Sequence, residues 1–180
     1  MMQLSSVLWI FTILFGVVGF LRGWTKEIVA TAGVVLALFI EQQFSGVVLD
    51  PLTAGAGPEQ RFYLYAGILV VVTFFGYQTP THASRLSEGR LWSSRREGLQ
   101  ERLLGTVIGA FNGYLIVGSL WYYLDALQYP FSPYFIAPAV NSPSAAIVAS
   151  NVLPLTWLVQ GNLLTVAVIV LFLFVIIAMI

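Results

Sequence analysis

From its first residue to Leu21 the chain carries no charged side chain, and four more charge-free apolar runs follow: Ile28 to Ile40, residues 62–84, Leu103 to Leu124 and Leu163 to Ile180. A charged side chain at the centre of a membrane helix costs about 3 kcal/mol. About 20 apolar helical residues, each rising 1.5 Å, cross the hydrocarbon core. The stretch from Leu4 to Leu21 meets that length, and the third run keeps its apolar character to Phe75 and Gly76. The second run is short, and spans only if Glu27 lies at one headgroup level and Glu41, Gln42 and Gln43 at the other. The pattern predicts an all-α, polytopic membrane helical bundle with about five transmembrane helices.

Composition excludes the alternatives. Only 9% of residues are charged, 58% are hydrophobic and the mean hydropathy is +0.87, whereas a soluble domain has about 25% charged residues. Such a chain cannot clothe a water-facing surface, and it is too apolar to remain disordered. With no cysteine, there is no disulfide, thiol nucleophile or thiolate metal site.

The basic residues set an expected orientation. They are Arg22, Lys26, Arg61, Arg85, Arg90, Arg95, Arg96 and Arg102. With five helices and the amino terminus outside, all but Arg61 lie on the cytoplasmic side, as the positive-inside rule requires. The carboxyl terminus is then cytoplasmic. The acidic residues outside are Glu41, Asp50, Glu59 and Asp125, and the other four lie inside, so a neutral total splits into a basic inner face and an acidic outer one. The first basic residue follows the first apolar run, and Phe20-Leu21-Arg22 is no cleavage site, so this run reads as an uncleaved helix.

Loops add detail. In the cytoplasmic loop 77–102, Leu86, Leu91, Trp92 and Leu99 punctuate the arginines, giving either a topology determinant or a segment docked on anionic lipid. Outside, residues 125–161 hold five prolines and one charge. Trp121, Tyr122, Tyr123, Tyr129, Tyr134 and Trp157 suggest an interfacial aromatic belt. Ser142-Pro143-Ser144 starts a short outer interfacial helix over Ala145 to Val152.

Small residues mark packing faces. Gly105, Gly109 and Gly113 recur at four-residue spacing on one face of the fourth span, Gly16 and Gly19 lie on the first, and Gly33 lies on the second. Such spacing lets backbones approach closely, either within the bundle or in self-association. The last span is rich in large aliphatic residues, and so more exposed to lipid.

Chemistry is sparse. One histidine, His82, cannot build a histidine metal cluster, and no HExxH, GxSxG, P-loop or GxGxxG motif occurs. The expectation is therefore no catalytic residue, no cofactor, no metal and no nucleic-acid partner. No ionisable group is expected near a span centre, which disfavours coupled transport. The mid-membrane polar residue Asn112 either makes an interhelical hydrogen bond or lines a pore. Arg22, Lys26, Glu27, Glu101 and Arg102 are expected at the cytoplasmic helix ends, with Arg22 facing Glu27 or Glu101 and Arg102 facing Glu27. That cluster is either a clamp or a site for a partner or lipid headgroup.

Two stretches carry a resemblance. Gly19-Phe20-Leu21-Arg22-Gly23-Trp24-Thr25-Lys26-Glu27 and Glu101-Arg102-Leu103-Leu104-Gly105, continuing through Gly109 and Gly113, resemble the motifs of the colicin V production protein (CvpA) family of bacterial inner-membrane proteins. The resemblance covers roughly residues 4–155. It differs in having Ser5 and Glu101 where the family usually has Asp, and in a fifth helix beyond the usual four. It implies a CvpA-like membrane domain over 1–158, an additional transmembrane helix over 159–180, and a non-enzymatic role in cell-envelope function or toxin production and export. An accessory subunit of a larger membrane complex and a channel or transporter component are the other readings. The partners expected are the bilayer and other membrane proteins, or a second copy.

Overall fold

The computed structural model describes residues 3–78 and 95–179. His82 and the arginine-rich part of the 77–102 loop, including Leu86, Leu91 and Trp92, lie outside the described residues, as do the side chains of Arg95 and Arg96. Within them the fold is all-α, and no strand occurs.

Helix α1 covers Leu4–Arg22 and α2 covers Trp24–Phe44, with Gly23 between them at φ 83°. A side chain in that left-handed region is strained, and glycine is not. The chain leaves α2 through a π-helical segment, Ser45–Leu49, into the short α3, Asp50–Leu52. Helix α4 covers Pro58–Tyr77, where proline opens the first turn without loss of a needed donor and Gln60 accepts from the Gly57 amide. Helix α5 covers Arg95–Ala126. Two short helices, α6 (Pro143–Ala149) and α7 (Pro154–Leu158), precede α8, Leu163–Met179.

Three of these stretches are long and apolar enough to cross a membrane: Leu4–Arg22, Trp24–Leu52 and Gly98–Ala126. The segments Pro143–Leu158 and Gln160–Phe174, bent by 48°, make up to a fourth if the pair is one span. Among the described residues this gives three to four candidate spans, where the charge-free runs give about five. The difference lies in α4, whose first turns contain Glu59, Gln60 and Arg61, and in α8, which has 17 residues. Helix α2 also departs from expectation. Its 21 residues extend past both glutamates that were expected to bound it at headgroup level, and both are buried.

Helices α1 and α5 form the most extensive pair, while α2 packs on α4, α5 and α8. The main core joins Val34 and Leu38 of α2 to Leu69 of α4, Leu115 of α5, Leu155 and Leu158 of α7, and Leu164 of α8. A smaller cluster gathers Leu8, Trp121 and Leu153. Outward faces are apolar too: Trp9, Ile13 and Leu21 on α1 and Val166, Ile169 and Phe172 on α8 are exposed. In water such surfaces drive aggregation; in a bilayer they meet lipid tails.

The short outer helix forms where the Ser-Pro-Ser start predicts it, with Ser142 accepting from the Ala145 amide. It docks on α1, since Ser144 Oγ accepts from the Ser5 amide and donates to Ser5 Oγ, both at 3.1 Å. The aromatics expected at an interface divide by burial. Trp121, Tyr123 and Tyr129 are buried, with Trp121 Nε1 donating to Tyr129 Oη at 3.2 Å, and Tyr134 is exposed. The polar atoms of Trp121, Tyr123 and Tyr129 find partners inside the protein.

Candidate functional site

Glycine at the α1–α5 crossing sets the geometry. A Cβ added to Gly19 would lie 2.0 Å from the Gly105 carbonyl oxygen, and one on Gly105 would lie 2.3 Å from that of Gly19. The same test puts Gly109 2.4 Å from the Phe15 carbonyl oxygen and Gly113 2.7 Å from Phe15 Cβ. The backbones touch over two turns. Gly16 is less constrained, at 3.4 Å from Ala110 Cβ, and Gly33 faces Gly76 of α4 rather than α5.

This contact carries the ends of α1 and α5 toward the first turns of α2. There Arg22 Nη1 donates to Glu27 Oε1 at 2.6 Å, while Nη2 donates to the Tyr77 carbonyl at 3.0 Å. The guanidinium also lies 4.5 Å from the centre of the Tyr77 ring, close enough for cation–π attraction. Tyr77 Oη donates to Glu27 Oε2 at 3.2 Å. From α5, Asn112 Nδ2 donates to Glu27 Oε2 at 3.0 Å and to the Glu27 carbonyl at 3.1 Å. Thr31 Oγ1 lies within hydrogen-bond reach of both Asn112 Oδ1 and the Glu27 carbonyl. Glu27 and Asn112 are both 0% exposed.

The result is a carboxylate held by α1, α2, α4 and α5 together. A charge placed in hydrocarbon without partners is costly, and here every oxygen of the carboxylate has a donor. An ionisable group thus does reach the level of Asn112, against the expectation from linear position. Glu27 heads a helix, but its side chain turns inward and Arg22 follows it.

The remaining cluster residues divide. Gly23 packs on Glu101, whose Oε1 lies 3.0 Å from where a Gly23 Cβ would be. Arg102 sits 5.7 Å from the Phe20 ring centre. Among the described residues the ion pair of this cluster is Arg22–Glu27, and neither Arg102 nor Lys26 joins it. Arg102 is exposed.

Tyr77 was not foreseen as part of this cluster, although it ends α4; Thr31 was expected only as a mid-membrane polar residue. A second buried carboxylate was missed as well. Glu41 accepts from Tyr123 Oη through its Oε2 oxygen, at the opposite end of the bundle.

A family model described as colicin V production protein matches residues 4–154, the length that contains α1, α2, α4, α5 and the network they build. The chain belongs to the colicin V production protein family. Neither a curated protein nor a solved structure matches it. Both motif stretches that resemble the family meet in space, since Gly19 and Gly23 of the first face Gly105 of the second. Helix α8 lies beyond the residues matched to the colicin V family. The chain is a multi-pass membrane protein.

Proposed function

We propose that this protein is a non-enzymatic component of the bacterial inner membrane that serves toxin production or export and related cell-envelope functions. The colicin V family match over residues 4–154 carries the reading. Geometry supports its non-enzymatic part: the Arg22–Glu27–Asn112 network is closed, with its carboxylate saturated by donors that tie helices together. The proposed orientation has the amino terminus outside and the carboxyl terminus in the cytoplasm. It is supported by Arg22, Lys26 and Arg102 gathering at one end of the bundle, opposite Glu41 and Asp125. The cysteine-free chain makes labelling direct: Gln3→Cys should react with impermeant maleimide added to intact cells, and Gln78→Cys only after permeabilisation. Deleting the protein from a toxin-producing cell should cut released toxin, and the wild-type chain should restore it. Unchanged release together with unchanged tolerance of envelope stress would reject the reading.

A second reading, an accessory subunit of a larger membrane complex, draws support from α8. Among its side chains with assigned burial, Leu164 is the buried one, while Val166, Ile169, Val170, Phe172 and Leu173 are exposed. A stoichiometric partner retained in mild detergent, and lost when α8 is replaced by a polyleucine helix, would favour it.

A further inference from the structure

At the end of the bundle opposite Glu27, a half-open cavity of about 270 Å³ lies between α2, α4, α5 and α7. Glu41, Arg61, Tyr65, Tyr122 and Tyr123 line its polar side, and Leu38 and Leu155 its apolar side. Glu41 is only 4% exposed. Its Oε2 accepts from Tyr123, whereas Oε1, equally buried, has no hydrogen-bond partner among the described residues. Arg61 Nε is buried without a partner as well. Both residues line the cavity without forming an ion pair with each other. A buried, unmatched acceptor or donor costs about 1–3 kcal/mol, and more where the group is charged, so two of them on one wall call for an occupant.

We propose that this cavity binds a phosphate–ammonium zwitterion, the chemistry of a phosphoethanolamine headgroup, with the ammonium at Glu41 and the phosphate at Arg61. A simple cation would leave Arg61 Nε unmatched, and a simple anion would leave Glu41 Oε1 unmatched. One zwitterion satisfies both. The ammonium donates to Glu41 Oε1, and the rings of Tyr65 and Tyr123, 5.6 Å apart and inclined at 32°, add cation–π attraction. The Arg61 side chain meets phosphate with its Nε–H, a donor that suits two phosphate oxygens when paired with a neighbouring guanidinium N–H. Size agrees: the volume corresponds to about nine waters, below the usual range of drug-sized pockets. Position agrees too. Arg61 lies in the first turns of α4 and Glu41 near the end of α2, so the cavity sits toward one end of the bundle, and the exposed Gln42 and Val159 mark an open rim. The inference stands apart from the toxin-production reading and survives or fails without it.

The test uses the full chain in detergent, titrated with short-chain phosphatidylethanolamine, short-chain phosphatidylglycerol and free O-phosphoethanolamine. The expected result is a preference for the ethanolamine lipid over the glycerol lipid on the order of tenfold, lost in Glu41→Gln, while Arg61→Gln weakens binding of both lipids. Binding of free O-phosphoethanolamine with equal affinity identifies a soluble zwitterion as the occupant; binding of the lipid alone identifies the headgroup. Equal affinity for the two lipids in the wild-type chain, or no binding of any of the three, overturns the proposal. So does an undiminished preference in Glu41→Gln. The wild-type comparison stands even where a variant fails to fold.

Discussion

One amide nitrogen of Asn112 donates to both the side chain and the backbone carbonyl of Glu27, at 3.0 and 3.1 Å, across a sequence separation of 85 residues. It reads the acid and the helix that carries it at once, and so fixes the rotation of α2 against α5. Asn112→Leu removes both bonds and one of the two acceptors of Thr31. Interhelical hydrogen bonds in membranes are worth about 0.6 kcal/mol on average, reaching about 1.7. A loss near the upper figure is expected, read by unfolding in mixed detergent micelles. A loss within error would mean that water replaces the amide.

The two halves of the Arg22–Glu27 pair are unequally buried, at 20% and 0% side-chain exposure. Removing the arginine strands a buried carboxylate, a change that costs about 3–5 kcal/mol. Removing the glutamate leaves an arginine able to extend its head toward the interface. Arg22→Met is therefore expected to destabilise more than Glu27→Leu, and the double variant to resemble Glu27→Leu alone. Equal effects from the two single variants would contradict this asymmetry.

Gly105→Ala forces a methyl group onto the Gly19 carbonyl oxygen and should cost about 1–3 kcal/mol through separation of α1 from α5. Gly67 in α4 has nothing within 4 Å of its absent Cβ, and Gly67→Ala is expected to be neutral or stabilising, by up to about 1 kcal/mol of helix propensity. Thermal unfolding of the two variants side by side checks the contrast. Similar losses at both positions would show that the glycines act through the backbone alone.

Outside the spans, burial pushes the Tyr129 phenol up to about 12, helped by the Asp125 carboxylate to which it donates at 3.1 Å and opposed by the hydrogen bond from Trp121. The folded chain then holds a proton that the unfolded chain releases near pH 10. Stability is expected to fall as pH rises from about 10 to about 12, and Tyr129→Phe should flatten that decline. Tyrosinate absorbance in the wild type and the variant measures the titration directly.

The glycine spacing made the α1–α5 contact legible, because a four-residue repeat of glycines names a face and a close approach. Charge-free runs likewise located α1, α2 and α5. They could not give the depth of Glu27, because a run ends at a charged residue whichever way its side chain turns, and the donors that draw Glu27 inward come from Arg22, Tyr77 and Asn112 on three other helices. The burial of Glu41 escaped for the same reason: its partner, Tyr123, read as an interfacial aromatic. Gly33 was legible as a packing residue but not as the partner of Gly76, since α4 shows no repeat of small residues to announce it.

The network around Glu27 also imposes an order of assembly. Arg22 precedes the carboxylate in the chain, but Tyr77 and Asn112 are made later, so during synthesis Glu27 must wait at or near the aqueous boundary with one partner. Only when α5 arrives can the first turn of α2 settle to its final depth. The bundle is thereby completed by its fourth long helix rather than built outward from its first, and a ribosome stalled before residue 112 should leave α2 loosely seated and open to proteolysis.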